Sequence, residues 1–221
     1  IKEEIKTASA ATILGGGKYG AMDNMRQIGK SKGYKSQVLT ISGVECWIYQ
    51  DFAEKDGAAK LQGIKDGVKR VVELGYSFPD GITFYTSSRD DFQSIAFHRA
   101  HGGNRKAVVQ LGNSSVNTAG MVGKKGIADQ VATASQSTYC AAVVVHELGH
   151  NLHERANEGF FWDGPVAGGL PPIDLALQVS QYGASNKLEF VAEVFTGTAY
   201  GLKYSGTIMQ TYADYHGPTA G

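Results

Sequence analysis

Three observations predict an α+β fold. Short runs of β-type residues recur before residue 112. A long stretch at 51–74 carries apolar residues at helical period. The segments around 139–153 and 187–200 are apolar enough to be buried helices. The expected architecture is a small mixed sheet and the long helix in the N-terminal part, a helical C-terminal part, and a cleft between them. Residues 1–221 are expected to form one domain, with an N-terminal lobe at about 1–137 and a helical lobe at 138–221.

Each element has its own signal. Ala11 to Leu14 reads as a short strand broken by Gly15-Gly16-Gly17, and Met22, Met25 and Ile28 keep helical spacing up to Gly29 or Gly33. Gly15-Gly16-Gly17-Lys18 lacks the rest of a phosphate-binding loop and reads as a flexible turn. Gln37 to Ser42 and Val44 to Tyr49 read as strands separated at Gly43. Within 51–74, Leu61, Ile64, Val68, Val71 and Val72 form one face opposite lysines and acids, and Gly75 is placed to end the helix. Pro79-Asp80-Gly81 is a turn and Ile82 to Thr86 a strand. Ser88-Arg89-Asp90-Asp91 resembles a helix start, followed by Phe92, Ile95 and Ala96. His98 and His101 fall in a polar segment that reads as a solvated loop. Lys106 to Leu111 is a strand, and 112–137, rich in Gly, Ser and Thr, is a long loop of the kind often functional beside a catalytic helix. Ile173 to Val179 reads as a short helix. Lys187 to Tyr200 reads as a longer one, with Leu188, Val191, Ala192 and Phe195 on its apolar face.

Composition excludes several classes of partner. Lys plus Arg and Asp plus Glu both number 21, so the formal charge is zero and there is no electrostatic footprint for nucleic acid or an anionic membrane. No run approaches a membrane span, and nothing at Ile1 reads as a signal peptide, from which no compartment follows. Cys46 and Cys140 lack zinc-ligand spacing. They either pair or stand free, and Cys140, inside an apolar run, reads as a small buried hydrophobe.

The chemistry concentrates in His146-Glu147-Leu148-Gly149-His150, preceded by the nearly apolar Tyr139 to Val145. Residues four apart share a helical face, so His146 and His150 can aim two imidazole nitrogens at one metal ion, with Glu147 beside them as a base for a water on that metal. A core helix that merely carries two histidines is the bland alternative. It would bury polar groups without partners. Two histidines leave a catalytic zinc one protein ligand short. His153 and Ala156 stand where a longer histidine motif needs Gly and His, and His153 lies about two turns from His146, which suits a structural or supporting role. Glu189 and Glu193 share a helical face. One can bind the metal while the other accepts a hydrogen bond from a ligand imidazole. Against this, Asn186 can cap the helix and Glu189 can close a capping box, which leaves Glu193 without a role.

The stretch Gln181-Tyr182-Gly183-Ala184-Ser185-Asn186-Lys187-Leu188-Glu189-Phe190-Val191-Ala192-Glu193-Val194-Phe195 resembles the corresponding part of the anthrax lethal factor catalytic domain and the related secreted Pro-Pro endopeptidases. Their shared pattern is a Tyr-Gly pair followed by Glu-Phe-x-Ala-Glu-x-Phe, downstream of HExxH. The resemblance covers Val143 to Gly201. It implies a zincin-like metallopeptidase fold of the gluzincin type, with the active site in the cleft. It also implies one zinc ion held by His146, His150 and Glu189, with Glu147 as base, Tyr182 assisting at the scissile carbonyl and Glu193 orienting a ligand histidine. The implied activity is a zinc-dependent metalloendopeptidase that hydrolyses peptide bonds with a Glu-assisted, zinc-bound water, in a protein secreted or delivered as an effector. A non-catalytic zinc-binding module of a toxin or scaffold is the competing function.

The expected partner is a peptide or protein substrate, with no nucleic acid and no membrane span, and the chain is expected to act as a monomer. The strand Lys106 to Leu111, with Val108 and Val109, is expected to form the edge of the cleft and to take an extended peptide by main-chain hydrogen bonds. Selectivity would then fall to 112–137 and to the Phe160-Phe161-Trp162 loop, with Trp162 at the rim.

Overall fold

The computed structural model describes residues 33–52, 54–88, 95–101, 104–117, 125–157 and 169–220. The strand and helix expected within 1–32, and Phe160, Phe161 and Trp162, lie outside these residues.

The described chain begins with a hairpin. Strands β1 (Tyr34–Ile41) and β2 (Val44–Asp51) pair antiparallel, with Ile41 opposite Val44. The two residues between them, Ser42 and Gly43, both have positive φ, 50° and 84°, as a two-residue turn requires if its twist is to match the strands. Helix α1 (Gly57–Glu73) follows. It starts later than its periodicity suggests because Asp51 still belongs to β2. It ends before Gly75, whose φ of 93° reverses the chain.

Strand β3 (Ile82–Thr86) runs parallel to β2, strand β5 (Asn104–Leu111) runs parallel to β3, and strand β4 (Ile95–His101) pairs antiparallel with β5. The sheet order is β1-β2-β3-β5-β4. This corrects three expectations. Ile95 and Ala96 are strand, not helix, because β5 offers them a full ladder of main-chain partners, Ile95 opposite Gln110 and Ala96 opposite Val109. His98 and His101 lie on the same strand rather than in a loop. The segment Lys106 to Leu111 is not an edge: β3 and β4 flank it, and Val108 and Val109 are buried. Among the described residues the edge beside β5 is β4.

One face of the sheet, carrying Cys46, Ile48, Ile82, Phe84, Val109 and Leu111, shares a single hydrophobic core with α1 and with helix α3 (Gln136–Ala156). The two helices lie unusually close. A Cβ built on Gly63 would fall 2.6 Å from Cys140 Cβ, and one on Gly67 would fall 2.7 Å from Val144 Cβ and 2.9 Å from the Ala141 carbonyl oxygen. Ser135 caps α3 by a reciprocal pair of hydrogen bonds with Thr138. Cys46 and Cys140 are free and buried, and burial pushes both thiols up to about 12. Lys60, fully buried on α1, meets the Glu54 carboxylate at 2.9 Å and donates to the Ser87 carbonyl at 2.8 Å, which joins the ends of β2 and β3 to the start of α1.

The span 112–137 is not one long loop. It holds a 3-10 turn at Asn113–Val116 and a short helix α2 at Ile127–Val131. Helix α4 is confined to Ile173–Ala176, and helix α5 occupies Lys187–Ala199 as expected. A last helix, α6 (Gly206–Asp214), was not anticipated. It buries only Ile208 and Tyr212, too few apolar positions to show a period. Ile208 and Tyr212 join the same core as the strands, so the N-terminal and C-terminal parts are packed as one body. No described helix is long and apolar enough to cross a membrane.

Candidate metal centre

Two helices build the site. On α3, His146 and Glu147 are buried and His150 is partly exposed. On α5, Asn186 accepts the Glu189 N–H at 2.9 Å and so fixes the first turn. The capping alternative is thus half realised: Asn186 caps, while the Glu189 side chain turns to the histidines. Gly149 lets α3 pack closely on α5, since a Cβ there would stand 2.8 Å from Cδ1 of Phe195 on α5.

The three side chains converge on a single point. His146 Nε2 lies 3.0 Å from Glu189 Oε2, His150 Nε2 lies 3.2 Å from the same oxygen, and the two Nε2 atoms are 3.1 Å apart. One ligand atom from each falls within 4.8 Å of the others, a group able to hold a metal ion. Tetrahedral ligands at about 2.0–2.1 Å from zinc stand roughly 3.3 Å apart. The triangle therefore has the edge length for one such ion, and two imidazoles with a carboxylate are a common zinc donor set. Burial pushes the Glu189 carboxyl up, but His150 and His146 outweigh it and hold the carboxyl well below the usual range, so Glu189 is an anion.

Glu193 sits one turn further along α5. Its Oε1 lies 3.0 Å from His146 Nδ1, on the far side of the ring from the convergence point. A proton on Nδ1 shared with that carboxylate leaves the Nε2 lone pair for a metal. The other oxygen, Oε2, accepts the Ile127 N–H at 2.6 Å and the Ser180 hydroxyl at 2.6 Å. Gly126 gives α2 room to approach: a Cβ there would lie 3.1 Å from Glu193 Oε2.

Tyr182 completes the group. Its ring centroid is 5.7 Å from that of His146. Burial and the charges of Glu189 and Glu147 raise its phenol well above the usual tyrosine range, so it remains a hydroxyl donor throughout the neutral range. A small cavity of about 20 Å³, room for about one water molecule, lies beside His146, Tyr182 and Glu193, walled by Ala128 and Val143.

The structure thus brings together His146, His150, Glu189, Glu193 and Tyr182, with Glu147 adjacent on α3. It does not bring Val108 or Val109 to an open edge, and Trp162 lies outside the described residues. His153 is apart from the site: its Nε2 meets the Tyr215 carbonyl at 2.7 Å. Sequence reasoning missed Ser180 and the N-terminus of α2. Nothing in a lone serine or a Gly-Ile pair announces them, since their partners are remote in sequence. Compared with family models, with curated proteins and with solved structures, the chain gives no match.

Proposed function

We propose that the chain is a zinc-dependent metalloendopeptidase of zincin-like fold. The observation that carries this reading is the convergence of His146, His150 and Glu189 at 3.0–3.2 Å with Glu147 in the same helical turn. The similarity of Gln181 to Phe195 to the lethal factor and Pro-Pro endopeptidase pattern supports it. His146, His150 and Glu189 would hold the zinc, with Glu193 fixing the tautomer of His146. Bound zinc supplies Lewis-acid polarisation and lowers the pKa of water toward about 7. Glu147 takes a proton from the attacking water and returns it to the leaving amine. The Tyr182 hydroxyl donates to the carbonyl oxygen as its charge grows.

The peptide would lie in extended form along β4, the edge strand that packs against α3. The main-chain groups of Val108 and Val109 are committed to the sheet, so they serve as its support. The span 112–137 and Trp162 are the places where side-chain selectivity would arise.

The test is a set of single variants. His146→Ala, His150→Ala and Glu189→Ala should each lose bound zinc. Glu147→Gln should keep its zinc and lose at least about 10²-fold in peptide hydrolysis. Full zinc content in Glu189→Ala would remove the third ligand from this scheme. A parent protein that binds zinc but cleaves nothing in a peptide library, with Glu147→Gln indistinguishable from it, would make the chain a non-catalytic zinc module.

A further inference from the structure

We propose that Ser180 is a positioning residue of the metal centre: its single hydroxyl fixes both the carboxylate that orients His146 and the turn that carries Tyr182. The inference rests on the zinc reading of the site. Ser180 is buried, 4 % exposed, and precedes Tyr182 by two residues. Its Oγ–H donates to Glu193 Oε2 at 2.6 Å, and its Oγ accepts the Gly183 N–H at 2.8 Å.

These two bonds admit one arrangement. A serine hydroxyl has one proton to give and lone pairs to receive. Glu193 offers only acceptors when ionised and Gly183 N–H offers only a donor, so the proton must point at Glu193. Glu193 itself is 3 % exposed. A carboxylate so buried needs donors, and a bond to it is stronger than one between neutral groups. With Ile127 N–H and Ser180 both on Oε2, the carboxylate cannot swing, and Oε1 is left facing His146 Nδ1.

The second bond acts on the tyrosine. Gly183 follows Tyr182 directly, and a Cβ at Gly183 would lie 3.1 Å from Ser180 Oγ, so the turn is pressed onto the hydroxyl. The same turn is closed by Ser185 N–H on the Tyr182 carbonyl at 3.0 Å and tied to the start of α2 by Tyr182 N–H on the Lys125 carbonyl at 3.2 Å. The bond from Ser180 to Gly183 alone would be an ordinary local turn contact. The bond to Glu193 is the one that makes it more, because it crosses from the turn to α5 and ends on the group that orients a metal ligand.

The test compares the parent with Ser180→Ala and Ser180→Thr, the latter keeping the hydroxyl. Zinc affinity is measured by competition with a chromophoric chelator, well below the melting temperature. Ser180→Ala should bind zinc about 10–100-fold more weakly, the range for losing a partner of a ligand histidine. At saturating zinc its kcat should fall by about tenfold with KM nearly unchanged, as expected when a transition-state contact is misplaced. Ser180→Thr should recover both. A purely structural serine would lower the melting temperature and leave zinc affinity untouched, and that outcome overturns the inference. So does a folded Ser180→Thr as impaired in zinc affinity as Ser180→Ala. If Ser180→Ala does not fold, Ser180→Cys, close in size and poor in hydrogen bonding, carries the same expectations. In a Glu193→Gln background the Ser180→Ala change should cost little further zinc affinity, and a full additional loss there counts against the coupling. A parent that binds no zinc sinks the proposed function and this inference together. A parent that binds zinc, with Ser180→Ala binding it equally well, sinks this inference alone.

Discussion

At the scale of the residue, the site is defined by which proton sits where. Tyr182 is held as a neutral phenol by burial and by the negative charges of Glu189 and Glu147. Its contribution should fall on the transition state, so Tyr182→Phe should keep zinc and fold while kcat drops by about 10²–10³ and KM changes little. An unchanged kcat would assign the donor elsewhere. His153 shows the opposite use of a histidine. Burial lowers it to about 4, with the Nε2 proton given to the Tyr215 carbonyl, so the folded protein holds it neutral. The unfolded chain takes up a proton near 6.5 and the folded chain does not until about 4. Stability must therefore decline as pH falls through that window, by an amount on the order of 3 kcal/mol. His153→Gln, which can still donate to the carbonyl, should flatten this part of the pH dependence of chemical denaturation. A slope identical to that of the parent would mean that His153 does not cause it. His146 and His150 were legible as residue types at a spacing, whereas Ser180 was not, because a serine becomes informative only once its partner is known.

At the scale of the element, the site depends on how closely α3 can pack on both sides. Gly67 faces α3 from α1, and a Cβ there would meet a backbone carbonyl as well as Val144. Replacing glycine by alanine in a helix gains up to about 1 kcal/mol of propensity, while forcing an extra methyl into a tight interface costs about 1–3 kcal/mol. The obstacle includes backbone, which cannot rotate away, so the cost should win: Gly67→Ala should melt lower than the parent, and an unchanged or higher melting temperature would refute the close packing. Gly149 is different. Its neighbour is the Phe195 ring, which also packs edge-on to Tyr76 with centroids 5.2 Å apart. A ring yields more easily than backbone, and what yields with it is α5, the helix that brings Glu189. Gly149→Ala should accordingly lose zinc affinity out of proportion to its loss of stability, as read by chelator competition beside a thermal melt. Element boundaries followed the same logic in the sequence. The long amphipathic α1 and the apolar face of α5 announced themselves by period, and α3 by its apolar run and the spacing of His146 and His150. Helix α6 and strand β4 did not, since the one buries two apolar side chains and the other is held by main-chain pairing with β5.

At the scale of the whole molecule, the proposed metal ties α3 to α5, two helices that reach the core from different parts of the chain. Zinc that binds only the folded state should raise the melting temperature, by the equivalent of about 2.7 kcal/mol at a hundredfold excess over the dissociation constant. A chelator should reverse the shift, and Glu189→Ala should show neither response. A parent whose melting is indifferent to both would carry no metal between these helices. The sequence by itself determined the α+β class, the strands on either side of Gly43 and at β3, the helices α1, α3 and α5, and the side chains able to meet at a metal. These are properties of period and of spacing within one helix, which local geometry enforces. Tertiary structure alone decided that Lys106 to Leu111 lies inside the sheet, with β4 beyond it. It also decided that the histidine Glu193 backs is His146, and that Ser180 and the Ile127 N–H hold Glu193 in place. Strand order and carboxylate direction are fixed by contacts between residues far apart in the chain, and no local pattern encodes which of two equivalent partners a group will face.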